Sequence, residues 1–483
     1  MLDRSFVLFR FHCGSKHIRP IFLTRNVLRG MPHFIDLFSN QIDRNWMIRE
    51  LLGNKWIGPE WLKEKFAFQI AKNWTNMEKG FSTDAKVLAV DGSEAMRTYS
   101  NRAILYIVRA LGLCGPERFR DLESNCFQTR SSQDAKTYVN GRRERLELEV
   151  AWKAIEALDL QEGSVVLLDG SLYGKAAHLP KDAPVSGGAA LALEFFESYW
   201  KLLEACRERK LLLLGVSKDS NTGFLRDYLL SEIFEEELKE MSGVPAGELL
   251  AMSSFFNRDI LGRQFSRRGE AAERWKQRFG VHSSRIEYLI DEAFLARPDY
   301  QLIECFRREG KIDCPGRSAV VECRLQRRWA RRIKQIMRKP ENFLKTYFSN
   351  SLQENKGDST FPERALNTLQ RLVDFPSIAS FHVLLDERDT PMRVDTPTWT
   401  FGMNRRLIDV ERSSPLEVDV ESIWKILESG YAGLRNYNVW LTEVDEEVRL
   451  RRDVVDMYES MLSKRLELPP LIHSRGYRRV KYP

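Results

Sequence analysis

The sequence predicts an α/β protein built on a mixed sheet flanked by helices, and three observations carry that reading. Two short apolar strands run into the same tripeptide, "KVLAVDGS" at 86–93 and "SVVLLDGS" at 164–171. Around them, stretches of helical periodicity alternate with continuous apolar runs such as "LLLLGVSKD" from residue 211, the pattern of strands buried on both faces. At 483 residues and 43% hydrophobic content, the chain can bury a large core and still carry an extension and an insertion.

Taken in order, the pattern predicts a strand at 86–91, a second at 103–113 in "AILYIVRALGL" and a third in "RFRDLESNCFQ". A helix at about 142–158, a buried strand at 164–169, a helix at about 187–208 and the strand from 211 follow. Residues 236–375 read as mostly helical and highly charged, without apolar strands. Strands resume at 378–387 and 407–412, followed by a helix over 420–433 and a long final helix from about 442 to 465. The expected organisation is an N-terminal extension (1–85), a first part of the core (86–235), a helical insertion (236–375), a second part of the core (376–465) and a basic tail (466–483).

Composition excludes several classes. The apolar runs fall far short of the roughly 20 residues that cross a bilayer, and the start "MLDRSFVLFRFHCGSK" has an early acid and no small-residue cleavage site, so a cytoplasmic protein is expected. Seven scattered cysteines with no CxxC pair argue against a disulfide framework or a zinc knuckle. His12, Cys13 and His17 lie close together but lack a second half-site. The net charge of +7 permits nucleic acid without requiring it. Its distribution is more informative. "RLQRRWARRIKQIMRK" at 324–339 has no acid, and Leu325, Trp329, Ile333 and Ile336 recur at helical spacing beneath Arg327, Arg328, Arg331 and Arg332. The tail interleaves Arg475, Arg478, Arg479 and Lys481 with Tyr477 and Tyr482, a composition suited to phosphate contact and base stacking. A solvated cationic face or a partner-docking surface would have the same composition.

An Asp at a strand end followed by Gly puts a carboxylate where the backbone turns tightly and a ligand can approach. An Asp-Gly turn needs no ligand to explain it, but two on neighbouring strands would bring Asp91 and Asp169 to one metal ion. On the intervening helix Leu148, Ala151, Trp152, Ile155 and Leu158 share a face, and Glu147 flanks it. Glu149 and Lys153 have the spacing of a surface i,i+4 pair. Glu147 is therefore the expected third acid, with Glu144 one turn earlier as the reserve. Lys218, at the end of the strand from 211, is placed either to meet a phosphate or to sit in an ordinary exposed turn.

The order of strands and helices, with Asp on the first strand, Glu on the first helix and Asp on the fourth strand, resembles the RNase H-like fold. The fuller set resembles the NurA nuclease family: "VDGS" at 90–93, "LLDGSLYG" at 167–174, "GVSKDS" at 215–220, "PMRVDTPTW" at 391–399 and "YNVWLTEVDEEVRL" at 437–450, spread over about 360 residues. Family members often carry Tyr-Pro with a histidine eight positions after the tyrosine. Here Tyr437 precedes Asn438, and the eighth position is Asp445, which takes the expected role of fourth ligand.

The resemblance implies a DNA nuclease with 5′-to-3′ exonuclease and single-strand endonuclease activity, acting as a homodimer with a HerA-type hexameric ATPase in break repair or phage defence. It implies Mn²⁺, or Mg²⁺, held by Asp91, Glu147, Asp169 and Asp445, with Tyr437 nearby and with Lys218 and Arg393 on phosphate. All-oxygen ligands suit those ions better than zinc. Two other readings stay open. One is a catalytically weak adaptor that binds DNA or docks an ATPase; the other is a small-substrate hydrolase, which would need neither the basic helix nor the basic tail.

Overall fold

The structure is a computed structural model that describes residues 56, 58–129, 131–218, 220–280, 283–295, 297–467 and 472–473. The cluster His12, Cys13, His17 and the basic tail beyond residue 473 lie outside the described residues. Contacts divide the chain into residues 1–63 and 64–483; the second unit holds every element below.

Among the described residues, eleven strands form one mixed sheet. They are β1 (Trp74–Asn76), β2 (Val87–Thr98), β3 (Ile104–Cys114), β4 (Glu117–Phe127), β5 (Val165–Asp169) and β6 (Leu212–Ser217), then β7 (Gly316–Ser318), β8 (Val320–Glu322), β9 (Ile378–Leu384), β10 (Met392–Pro397) and β11 (Ser414–Leu416). The order across the sheet is β1-β7-β9-β10-β6-β5-β2-β3-β4, with β8 pairing β9 and β11. β2, β3 and β4 form an antiparallel meander, and β5 and β6 add in parallel beyond β2. This is the expected α/β, RNase H-like arrangement, extended by β10 and β9 running antiparallel.

Period-2 alternation sends successive residues to opposite faces, and each face has its own core. Leu88, Val90, Val166 and Leu168 pack beneath the long helix Ser132–Ala157 and the helix Leu191–Glu208. Val87, Ala89, Val165 and Leu167 pack against Trp424 and Leu427 of the helix Glu421–Ser429, and against Leu441 and Val444 of the helix Val439–Val448. Because both faces are covered, the parallel strands read in the sequence as unbroken apolar runs. Among the described residues no helix is long and apolar enough to cross a membrane.

Several expectations change. The first strand does not end at residue 91 but continues to Thr98, pairing with β3 all the way. The first long helix starts at Ser132, not near 142. Ser131 caps it by accepting from the Asp134 amide, and the weak helix former Gly141 lets Leu191 approach to where a Cβ would be 3.0 Å from Leu191 Cδ2. The segment 407–412 is not a strand; only a short 3₁₀ turn, Leu407–Asp409, forms there. β9 is paired with β10 on one edge and with β7 and β8 on the other, and the free edge of β8 is taken by β11, Ser414–Leu416, just beyond this segment. The region 236–375 contributes β7 and β8, each three residues long and too short to show a period. The final helix is two, Val439–Val448 and Arg452–Arg465. Glu149 pairs with Arg145 at 2.5 Å and Lys153 with Asp121 at 2.7 Å, because the helix lies over β4 and nearer partners exist.

Candidate active site

Asp91 and Asp169 stand side by side. The parallel pairing of β2 and β5 runs from Val87↔Val165 to Val90↔Leu168, so the next residue on each strand is the aspartate. Both belong to the odd-numbered series that faces the helix Val439–Val448. Asp91 Oδ1 accepts the Gly92 amide at 2.7 Å. β5 ends at Asp169, where Gly170 turns the chain at φ +101°, a region open to glycine at little cost. Ser171 then caps the short helix Leu172–Ala176 by accepting from the Gly174 amide at 2.8 Å.

Glu147 reaches the strand end from the opposite face. A Cβ on Gly92 would lie 2.6 Å from Glu147 Oε1 and 2.9 Å from Arg143 Cγ, so the missing side chain is what lets the helix carboxylate lean over β2. Glu147 is 1% exposed. Its Oε2 accepts from Lys175 Nζ at 2.8 Å, and its Oε1 pairs with Arg143. Glu144 instead pairs with His178 at 2.7 Å. Glu147, not Glu144, is therefore the helix acid that faces Asp91 and Asp169.

On the other side, Lys218 Nζ lies 3.6 Å from Asp169 Oδ2 and 3.8 Å from the centroid of the Tyr437 ring. Tyr437 is buried, and its hydroxyl has no hydrogen-bond partner among the described residues. Burial, then Asp169, Asp91 and Asp445, push that phenol well above its ordinary pKa, so it stays a donor. Asp445 sits on the helix Val439–Val448 with its side chain 35% exposed and paired with Arg449.

The electrostatics are those of crowded acids. Burial first, and then Asp169 and Glu147, push Asp91 up to about 7. Asp169 is raised as well, by burial ahead of its neighbours. Burial opposes the charge on Lys175, but Glu147 and Glu144 outweigh it and hold the ammonium pKa above its usual value.

Among the described residues no three His, Cys, Asp or Glu side chains come close enough to hold a metal ion. The reason is local: Arg143 and Lys175 take up Glu147, and Arg449 takes up Asp445. The four expected ligands thus gather around one strand end without converging. Two features nonetheless fit a hard divalent cation. The donors are all carboxylate oxygens, with Asp91 destabilised as an anion by its own neighbours, and the orphaned Tyr437 hydroxyl lies among them.

Arg393 is not where a phosphate contact would be. It is 1% exposed and pairs with Asp395 at 2.8 Å, Ser380 at 2.8 Å and Thr222 at 2.8 Å. Asp395 Oδ2 in turn accepts from Ser171 Oγ at 2.6 Å and the Tyr173 amide at 3.1 Å, so "RVD" supports the second turn from beneath. The basic helix is Arg327–Arg338, seated on Trp329, Ile333 and Ile336. Trp329 Nε1 donates to the His178 carbonyl at 2.8 Å, which docks this helix beside the segment that follows the second turn. Arg328 and Arg331 are exposed. Arg327 is committed to Asp259 and Gln264, and Arg332 stacks on Tyr347 at 3.9 Å.

Sequence reasoning missed Lys175, Arg143 and Asp395. Lys175 had a signal, as the one charge in "SLYGKAA", and Arg143 stands four residues before Glu147. Asp395 was visible in "RVDTP", but its attachment to Ser171 was not.

The NurA domain family model matches residues 85–289. Among solved structures, the chain is similar to the NurA nuclease from Sulfolobus solfataricus, at 14% identity over 92% of this chain and 98% of that one, with a TM-score of 0.46. It is also similar to a structure of NurA bound to dAMP and manganese, at 13% identity over 85% and 94% of the two chains with a TM-score of 0.37. A structure of NurA with manganese matches at 12% identity over 88% and 98%, with a TM-score of 0.38. Among curated proteins the comparison finds no match.

Proposed function

We propose that this chain, whose residues 85–289 match the NurA domain family model, is a divalent-metal-dependent deoxyribonuclease that processes DNA ends. The observation that carries the reading is the juxtaposition of Asp91 and Asp169 at adjacent positions of parallel strands, with Glu147 leaning in across Gly92. Asp91 and Asp169 would hold the ion, with Glu147 and Asp445 at hand, and Mn²⁺ or Mg²⁺ suits the all-oxygen donors. When bound, the ion supplies Lewis-acid activation of water and neutralises charge on the leaving oxygen.

The chain's own residues do the rest. Lys218, held above Tyr437 and 3.6 Å from Asp169, presents an ammonium to a phosphate oxygen at the strand end. The Tyr437 hydroxyl, a donor without a partner among the described residues, orients a water or phosphate oxygen. Lys175 and Arg143 balance Glu147 inside the protein, which keeps so many carboxylates in one place tolerable. Exposed Arg328 and Arg331 on the basic helix attract the DNA backbone, a contribution that weakens steeply with salt. The finer reading is 5′-to-3′ exonuclease and single-strand endonuclease activity, as a homodimer with a HerA-type hexameric ATPase in the cytoplasm, in repair or phage defence.

The test is cleavage of 5′- and 3′-labelled single-stranded DNA with Mn²⁺, Mg²⁺ or EDTA by the wild-type chain and Asp91→Asn. Metal-dependent cutting lost in the variant supports the reading, and the labels report polarity. A second reading, a DNA-binding or ATPase-docking adaptor, draws on the engagement of Glu147 and Asp445 by internal cations. DNA binding by both proteins without cutting, with any metal and with the ATPase added, would favour it.

A further inference from the structure

We infer that Ser93 and Arg109 form a clamp that sets the position of the helix Val439–Val448, and with it Asp445 and Tyr437, against Asp91 and Asp169. The inference rests on the nuclease reading and adds two positioning residues to it. Ser93 and Arg109 are direct cross-strand partners on β2 and β3. Ser93 stands two residues beyond Asp91, so both side chains leave the same face of the strand.

The clamp closes on the end of a helix that arrives more than three hundred residues later in the chain. Arg109 Nε donates to the Val448 carbonyl at 2.5 Å, and its Nη2 donates to Arg449 O at 2.7 Å and Glu447 O at 3.4 Å. Ser93 Oγ accepts the Leu450 amide at 2.8 Å. The last carbonyls of a helix have no partner inside it, and they carry the negative end of its dipole. A guanidinium fork satisfies several at once, and the chain leaves the helix at Arg449 with extended backbone. This is why the expected long final helix is broken at that point.

Apolar packing alone would not do the same job. Leu441, Val444 and Val448 bury the inner face of the helix, but such contacts are non-directional and allow it to slide along its axis. The four hydrogen bonds to Arg109 and Ser93 fix the axial position to the strand that carries Asp91. Asp445 lies one turn before the clamped end, so a shift there moves the carboxylate and the whole Tyr437 end together. Misplacement by about 1 Å at a reacting centre can cost on the order of a hundredfold in rate. Arg109 is also the one charge in the apolar run "AILYIVRALGL", where a strand with a covered face has no need of one.

The experiment compares wild type, Arg109→Leu, Arg109→Lys and Ser93→Ala by three readouts: turnover and KM on single-stranded DNA, Mn²⁺ affinity by calorimetry without DNA, and melting temperature. The expected result for Arg109→Leu is at least a tenfold fall in kcat with KM for DNA within twofold, and weaker Mn²⁺ binding. Arg109→Lys should recover part of the loss, because an ammonium satisfies one carbonyl but not the fork. Ser93→Ala removes one bond and tests the clamp even where Arg109→Leu does not fold. Wild-type Mn²⁺ affinity and kcat in folded Ser93→Ala and Arg109→Lys would overturn the clamp and leave the nuclease reading standing. A wild-type chain that neither binds Mn²⁺ nor cuts DNA would overturn both.

Discussion

The two Asp-Gly-Ser turns have the same three residues and different backbones. In the first, Asp91, Gly92 and Ser93 lie within a strand that runs on to Thr98. In the second, Asp169 ends its strand and Ser171 begins a helix. The glycines therefore do different work. Gly92 has ordinary strand geometry and is needed for its missing Cβ, which leaves room for Glu147, whereas Gly170 is needed for its backbone at φ +101°. The serines converge in role, since each ties its turn or strand to a late segment: Ser93 to Leu450 and Ser171 to Asp395. The aspartates alone are equivalent, adjacent in register and facing the same side. One motif recurs because one outcome, two carboxylates together, is reached by two local routes.

That equivalence is the first thing to break. Asp91→Asn and Asp169→Asn should each reduce cleavage by more than about a hundredfold, beyond the 10–100-fold typical of residues behind a metal ligand. Similar losses would support a shared ion; full activity in one variant would show that the two acids do not act together.

Acid should separate the two regions next. His382 pairs across the sheet with Arg393, which holds Asp395 beneath the second turn only. It is fully buried, and neither ring nitrogen has a hydrogen-bond partner among the described residues. Burial, then Arg393, lowers its pKa from 6.5 to about 3. The sign follows: the folded state holds the neutral ring, so the contribution is present above about pH 6.5 and is lost as pH falls toward 3. By pH 5 the loss is about 2 kcal/mol. Melting temperatures of wild type and His382→Phe from pH 7 to pH 5 should show a smaller fall for the variant; parallel curves would remove His382 from the acid response.

The glycines sharpen the contrast further. Gly170→Ala should cost about 1 kcal/mol through left-handed strain, seen as a lower denaturant midpoint. Gly92→Ala should lower turnover as well as the midpoint, because its Cβ would meet buried Glu147 Oε1 at 2.6 Å and Arg143 Cγ at 2.9 Å and push the carboxylate away from the strand. Wild-type turnover in Gly92→Ala, or a larger loss of turnover in Gly170→Ala, would show that the two glycines had been assigned each other's roles. Ser171→Ala removes both the cap and the donor to buried Asp395, and should lower the denaturant midpoint by an amount equivalent to about 2 kcal/mol; an unchanged midpoint would remove Ser171 from the support of the second turn.

Much of this was legible in the amino-acid sequence. Local patterning determined the strands Val87–Asp91, Val165–Asp169 and Leu212–Ser217, since strands buried on both faces must be apolar throughout, and it determined the helix that carries Glu147 through its apolar stripe. Asp91, Asp169 and Glu147 were visible because a charge at the edge of an apolar run stands out. Tertiary structure decided what depends on segments far apart in the chain. It buried Arg393 against Asp395 instead of leaving it for phosphate, gave Glu147 two cationic partners, divided the last helix at the Arg109 contacts and refused the 407–412 segment a place in the sheet. Propensity and periodicity act over a few neighbouring residues. Whether a charged side chain meets solvent, a counter-ion or a helix end is set by what folds against it, hundreds of residues away.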